Sequence, residues 1–321
     1  MALTRGDVNA TLKDLTLIAE DTVVQTRPQL YPLICSVKPE DGAYTKIPVP
    51  ANIAFPRLFE GERASQGKQV NVVQQYNQST YELTIDLDSD LVKNARAYDF
   101  SDLIREATMS AVLFPDYLSS QAVIAGGTNK AYDGIAFYGA NHLFAGAGAN
   151  PFTNTVAKTG QTVTELANDL ASALVVMRTA KDNQGRLLNP LASLGQDKIL
   201  IQCPVAMEKN FHTILNASWF PTTVPVTTSG TAAVPTDGNF MKGVAQLFPD
   251  GYLDGVSATT WYAHYVGMPQ RPFVFLENYG IQLQVLGFGT EHEINTNTVR
   301  IALKHRFALG YYRADRSVRV A

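Results

Sequence analysis

Between Tyr81 and Leu87 apolar and polar residues alternate strictly, the period of a half-buried strand. Residues 43–87 as a whole predict a long hairpin. Tyr44 to Val49 is its outgoing limb, and the return limb ends in Tyr81 to Leu87. Between the limbs lie Pro50, Pro56, Gly61 and Gly67, with Glu60, Glu62, Arg63 and Lys68. That polar, breaker-rich stretch does not suit burial. The hairpin is therefore expected to project and to be satisfied by another chain.

Helical periodicity appears elsewhere. Leu12, Leu15, Ile18 and Ala19 share one face of a weakly helical N-terminal segment, which Pro28 and Pro32 stop. It reads either as a short capping helix or as an arm lying on a neighbouring subunit. Residues 99–125 predict a helix with Ser101 as N-cap and a stripe of Leu103, Ala107, Ala111, Phe114, Leu118 and Ala122. Pro115 inside it predicts a kink or a division into two helices. Gly126-Gly127 ends it. Thr162 and Glu165 have capping-box spacing ahead of a second helix, 163–181, with Leu166, Leu170, Leu174 and Met177 inward. Residues 198–202 read as a short buried strand. Pro204 then opens a third helix carrying Met207, Phe211, Ile214 and Leu215.

Residues 218–250, rich in Thr, Pro, Gly and Ala, predict a surface loop. From Trp261 onward the pattern is mostly strand: 261–266, 273–277, 282–286, 298–305 and 308–313. Helices in the middle and strands at both ends give an α+β class.

Composition narrows the function classes. Of 321 residues, 45% are hydrophobic and 17% charged, which permits a sizeable core and leaves much neutral surface. Net charge is −3 with no basic block, unlike a dedicated nucleic-acid binder. Arg313, Arg316 and Arg319 read as one solvated face of a final strand. Cys35 and Cys203 form neither a disulfide framework nor a zinc pattern and fit a reducing cytosol. No apolar run reaches the roughly 18 residues of a membrane span, so no membrane association is expected. No secretory signal is present, and the Asn-x-Ser/Thr sequons at Asn9, Asn77 and Asn216 therefore carry no meaning.

The spacing of potential catalytic residues forms no known signature. None of His142, His212, His264, His292 and His305 lies in an HExxH pattern or beside a cysteine ligand. In Glu291-His292-Glu293, read as strand, the histidine points away from both carboxylates. Asp86, Asp88 and Asp90 read as a solvated strand end leading into a helix near Leu91, not as a calcium loop. No phosphate loop, dinucleotide loop or nucleophile elbow occurs. The expectation is no enzyme activity, no cofactor and no metal.

Residues 115–144 carry Pro115 and Asp116, then Tyr132-Asp133-Gly134, Phe137-Tyr138 and His142. This stretch resembles the Mu-like phage major head subunits, the gpT family, whose members have a His-Pro-Asp-like helical step and a YDG loop ending in histidine. Phe114 stands where the family has His, Tyr138 where it has Phe, and Leu143 where it has Pro. Residues 177–217 resemble the family's polar turn and following helix at Asp182, Gly185, Arg186, Leu188, Pro204, Met207 and Glu208. Residues 261–286 resemble its Trp-Tyr strand at Trp261, and 297–320 are similar to the closing strands of tailed-phage capsid proteins. The resemblance covers about 100–320; the first hundred residues match in layout.

The resemblance implies the tailed-phage major capsid fold of the Hong Kong ninety-seven type. Its parts map to an N-terminal arm at 1–42, an extended hairpin loop at 43–88, and a peripheral domain with spine helix at 89–154. An axial domain follows at 155–270, and closing strands at 271–321 return to the peripheral domain. The implied function is a major capsid protein, self-assembling as pentamers and hexamers of an icosahedral shell around double-stranded DNA bound without sequence specificity. Portal, scaffold or cement proteins are the implied partners, and no charged helical pro-segment precedes the arm, so any scaffold is expected as a separate chain. The implied localisation is the virion capsid, assembled in the host bacterial cytoplasm. The alternatives are an encapsulin-like compartment shell, another virion structural protein such as a tail component, or a soluble enzyme of unfamiliar type.

Overall fold

The computed structural model describes residues 5–49, 72–94, 97–143, 150–182, 185–189, 195, 197–218 and 238–321. The helices are α1 (Arg5–Gln25), α2 (Tyr31–Ile34), α3 (Ser89–Asn94), α4 (Ala97–Ala125), α5 (Val163–Thr179), α6 (Glu208–Asn216), α7 (Gly251–Asp254) and α8 (Glu291–Thr296). The strands are β1 (Cys35–Pro39), β2 (Tyr44–Val49), β3 (Val72–Asn77), β4 (Ser79–Asp88), β5 (Thr155–Val156), β6 (Ile199–Cys203), β7 (Gln246–Pro249), β8 (Trp261–Tyr265), β9 (Phe273–Leu286), β10 (Thr298–Tyr311) and β11 (Ser317–Val320).

They form three sheets, ordered β1-β9-β10-β4, β5-β11-β8-β6-β7 and β2-β3. Leu12, Leu15 and Ala19 of α1 and Ile104 of α4 pack with Leu87, Val299 and Ile301 on one face of the four-stranded sheet. Leu166, Leu170, Leu174 and Met177 of α5 and Phe211, Ile214 and Leu215 of α6 pack on the five-stranded sheet around Trp261. The predicted capping box is present: the Thr162 side chain accepts from the Glu165 N–H, and Glu165 bonds back to the Thr162 N–H. A third cluster joins the two sheets through Phe137, Tyr138, Phe273, Phe275 and Phe307.

The return limb of the hairpin is β3, not β4. Tyr44–Val49 pairs antiparallel with Val72–Asn77, whereas Ser79–Asp88 pairs with β10. The alternation in β4 correctly reports a half-buried strand, but alternation carries no information about which strand lies alongside. The predicted tip, 50–67, lies outside the described residues.

The spine helix α4 also departs from expectation. It starts at Ala97, so Ser101 is an interior residue and not an N-cap. Its buried row is Ser101, Ile104, Thr108, Val112, Pro115, Ser119 and Val123, about one position from the predicted stripe, and Leu103 is exposed. Three of those seven are hydroxyl residues, which a hydropathy pattern assigns to the outside. The helix is a single element through Pro115.

Three further segments differ. β9 and β10 are each one strand where two were expected; between Lys304 and Phe307 the register shifts, and β9 takes two more residues than β10 across the interval. Glu291-His292-Glu293 is helical, not extended: Thr290 caps the segment and Asn297 (φ 53°) ends it in the left-handed conformation. Of the predicted loop 218–250, residues 219–237 lie outside the described residues. Beyond them Met241, Val244 and Ala245 are buried and 246–249 is strand.

Candidate functional site

The resemblance residues converge on the junction between the sheets. Asp116, one turn after the α4 midpoint, accepts main-chain N–H bonds from Gln29 (2.6 Å), Leu30 (3.1 Å) and Tyr31 (2.8 Å). It thereby supplies the acceptor that the start of α2 lacks, since Leu30 makes no side-chain cap. Pro115 is buried inside a helix that runs on past it.

The loop after α4 is held by its own polar groups. Gly134 has φ +80°, the left-handed region that glycine enters without cost. Asp133 accepts from the Ile135 N–H (3.1 Å) and contacts His142 Nδ1 at 2.7 Å. A carboxylate only accepts, so Nδ1 carries the proton. The His142 ring stacks on Phe152 with centroids 5.3 Å apart. Asn154 then ties the loop down: its amide donates to the carbonyls of Phe137 (2.7 Å) and Ala314 (3.0 Å), and its oxygen accepts from Gly139 (2.9 Å). Tyr132 is largely buried, and burial pushes its hydroxyl pKa up.

A buried polar chain, absent from the sequence reading, crosses the same junction. Ser120 of α4 (2.6 Å) and Gln202 of β6 (2.6 Å) both donate to Asp250 Oδ2. His264 Nε2 of β8 lies 3.0 Å from Gln202 Oε1, and its Nδ1 lies 2.9 Å from Ser317 Oγ of β11. Tyr138 closes the chain at 2.8 Å from Ser317 Oγ. Directions follow from the carboxylate end. The Gln202 amide donates to Asp250, so its oxygen accepts from His264 Nε2–H. Nδ1 then accepts from Ser317, which accepts from Tyr138. Burial drives the His264 pKa down to about 3, so the ring is neutral and this tautomer holds. The six groups come from separate stretches of chain. The one local hint was Gln202 inside the apolar run of β6.

Arg313 and Arg316 are buried at 4% and 3% exposure, which overturns the solvated-face expectation. Arg313 grips Asp315 with two bonds (Nε–Oδ1 2.7 Å, Nη2–Oδ2 2.8 Å) and donates to Gln270 Oε1 (3.0 Å). Arg316 donates to the Gln270 carbonyl and to Asn189 Oδ1 (3.3 Å). Desolvation, with Arg313 adding to it, lowers the Arg316 pKa to about 10. Desolvation alone would raise the Asp315 pKa, but the charge and bonds of Arg313 outweigh it and the carboxyl is held low. Arg319 is partly exposed.

Gly185 (φ +79°) and Arg186 shape the turn after α5. The Arg186 N–H (2.8 Å) and Nε (3.2 Å) both bond the Asp182 carboxylate. Trp261 is fully buried, edge-on to Phe211 at 4.9 Å. On the helix-free face of the four-stranded sheet, Ile47 and Tyr76 of the hairpin pack on Val274, Leu276, Ala308 and Tyr312.

The junction therefore organises strands, spine helix and hairpin, and among the described residues no group of three or more His, Cys, Asp or Glu is placed to hold a metal ion. This is the fold of tailed-phage capsid shells. The procapsid of bacteriophage JBD30 matches with a TM-score of 0.53 at 13% identity, over 99% of this chain and 75% of that one. The capsid of cyanophage P-SCSP1u matches at 0.55 and 10% identity, over 92% and 88%. A virus-like particle from Pyrococcus furiosus matches at 0.53 and 9%, over 96% and 98%. No curated protein matches the chain.

Residues 53–167 match the model of the Mu-like prophage major head subunit gpT. The matched segment includes Pro115, Asp116, Tyr132, Asp133, Gly134, Phe137 and His142. It stops before Gly185, Arg186 and Trp261, and it begins within the first hundred residues, where the sequence reading had only a layout.

Proposed function

We propose that copies of this chain associate into pentamers and hexamers that close an icosahedral shell around double-stranded DNA, held without sequence specificity. The observation that carries this reading is the β2–β3 hairpin. Its strands pair only with each other among the described residues, and it meets its own domain through one small apolar cluster and the Tyr76–Tyr311 hydrogen bond. Its remaining surface is available to a neighbour, so most stabilisation of the shell is intermolecular and concentration-linked.

In this reading residues 1–42 are the N-terminal arm, 43–88 the extended loop with its last strand, β4, rooted in the four-stranded sheet, 89–154 the peripheral part with its spine helix, 155–270 the axial part and 271–321 the closing strands. Pro115, Asp116, Tyr132, Asp133, Gly134, Phe137, His142, Gly185, Arg186 and Trp261 serve structure and not catalysis. Portal, scaffold and cement proteins are further partners. The shell assembles in the host bacterial cytoplasm and ends in the virion. No membrane is involved; no described helix is long and apolar enough to cross one.

Deleting residues 50–67 tests the reading. The expected variant has the wild-type circular dichroism spectrum and forms no particles by electron microscopy. Normal particles from that variant would overturn the role of the hairpin. A compartment shell is the second reading, supported by the likeness to the Pyrococcus furiosus particle. DNA-filled heads in micrographs favour the phage shell; small particles filled with protein favour the compartment.

A further inference from the structure

The four-stranded sheet has an edge that its own first strand leaves half open. β1 pairs with β9 only from Phe273 to Glu277. On that side, residues 278–286 have no main-chain partner among the described residues, while β10 pairs with them on the other side.

The register shows which groups face outward. The Ser89 N–H bonds the Asn297 carbonyl at 2.9 Å, extending the β4–β10 pairing of Asp88 with Thr298. Hydrogen-bonded and non-bonded pairs alternate in an antiparallel ladder. Val299, Ile301 and Leu303 therefore bond β4, and Arg300, Ala302 and Lys304 turn their main chain to β9. Their partners there are Leu286, Gln284 and Gln282. This leaves the N–H and C=O groups of Ile281, Leu283 and Val285 pointing to the open edge. Leu283 and Val285 pack their side chains on the α1–α4 core, so the strand is held straight and in register while its edge stays bare.

Apart from the bulge between Glu277 and Gln282, the edge also lacks the usual guards. Soluble proteins blunt open edges with charge, proline or bulges. Residues 279–286 contain no charged residue and no proline. The opposite edge of the same sheet, β4, carries Glu82, Asp86 and Asp88, so two β4 edges repel one another. A neutral, alternating edge accepts a strand from a chain of any charge, including one with this chain's own acidic balance.

We propose that β9 residues 278–286 accept a β-strand from a second copy of this chain, extending the four-stranded sheet across a subunit boundary. The donor pairs with the outward groups of Ile281, Leu283 and Val285. This rests on the self-assembly reading and names one surface through which assembly occurs.

Amide hydrogen exchange of the full chain, as isolated subunits and as assembled particles, tests it. Residues 281, 283 and 285 should exchange freely in subunits and slow by at least about tenfold in particles. Protection already present in subunits means that the chain's own segment fills the edge, and overturns the proposal. Particles in which these amides stay labile overturn it while leaving self-assembly intact. Failure to form particles at all overturns both readings. Ile281→Pro is the companion variant, since an outward edge position tolerates proline in the folded subunit. It should keep the wild-type circular dichroism spectrum and lose particles, and undiminished particle yield contradicts the proposal.

Discussion

The Tyr76 hydroxyl donates to the main-chain carbonyl of Tyr311 at 2.5 Å, joining the hairpin to the far end of β10. Beside it Gly310 leaves room for the Tyr76 ring, and a Cβ there would collide with that ring. Glycine is present for close approach, since its φ is not in the left-handed region.

Gly310→Ala should therefore push the hairpin off the sheet. Overpacking of this kind costs about 1–3 kcal/mol. Tyr76→Phe keeps the ring and loses one hydrogen bond, about 1 kcal/mol. Urea unfolding of the isolated subunit should rank the alanine variant below the phenylalanine variant, and the reverse order would contradict the close-contact account.

His264 predicts an acid sensitivity. Its pKa is lowered in the folded chain to about 3 from an ordinary 6.5. Above pH 6.5 the ring is neutral in both states. Below it the unfolded chain takes up a proton that the folded chain refuses until about pH 3, so stability is lost as pH falls through that window. The loss is about 1.4 kcal/mol per pH unit, or about 2 kcal/mol between pH 6.5 and 5. His264→Gln, measured by urea midpoints at both pH values, should show a pH dependence smaller by that amount. Equal slopes in the two proteins would refute the buried neutral ring.

Asp315 bonds Arg313 through both carboxylate oxygens and lies 3.9 Å from Arg316 Nε. Asp315→Ala removes this buried carboxylate from between two buried guanidinium groups, a loss of about 3–5 kcal/mol. Arg316→Met leaves the bidentate Arg313–Asp315 pair in place and should cost less. Thermal unfolding of both variants decides the order.

Asp116→Ala strips acceptors from three consecutive N–H groups at residues 29–31. The expected loss is about 1–3 kcal/mol, with faster amide exchange at residues 29–31. Asp116→Asn retains an acceptor and should fall between. An alanine variant as stable as wild type would show that α2 does not depend on this contact.

Local chemistry was legible wherever it was complete within a few residues. The Thr162–Glu165 box and the apolar rows of α5 and α6 needed nothing from outside their helices. Long-range choices were not. Nothing in Tyr81–Leu87 distinguishes β10 from β2 as its neighbour, and the spine helix buries Ser101, Thr108 and Ser119, hydroxyl residues that no local pattern marks as inward. Arg313 and Arg316 looked solvent-facing although Asp315 stands between them, because the groups that bury them with it, Gln270 and Asn189, lie far along the chain. The YDG loop was legible as a motif, yet the chain through Gln202, Asp250, His264 and Ser317 exists only once β6, α7, β8 and β11 are folded together.

Strand order in the five-stranded sheet also sets a timetable during translation. β11 lies between β5 and β8, although it is synthesised after both. A ribosome that has not reached Ser317 carries a β5 with no neighbour and a His264 with no hydroxyl at Nδ1. The hairpin has emerged long before. Completion of the second sheet thus waits for residues 317–320, and nascent copies crowded on one message stay short of the native subunit until that point.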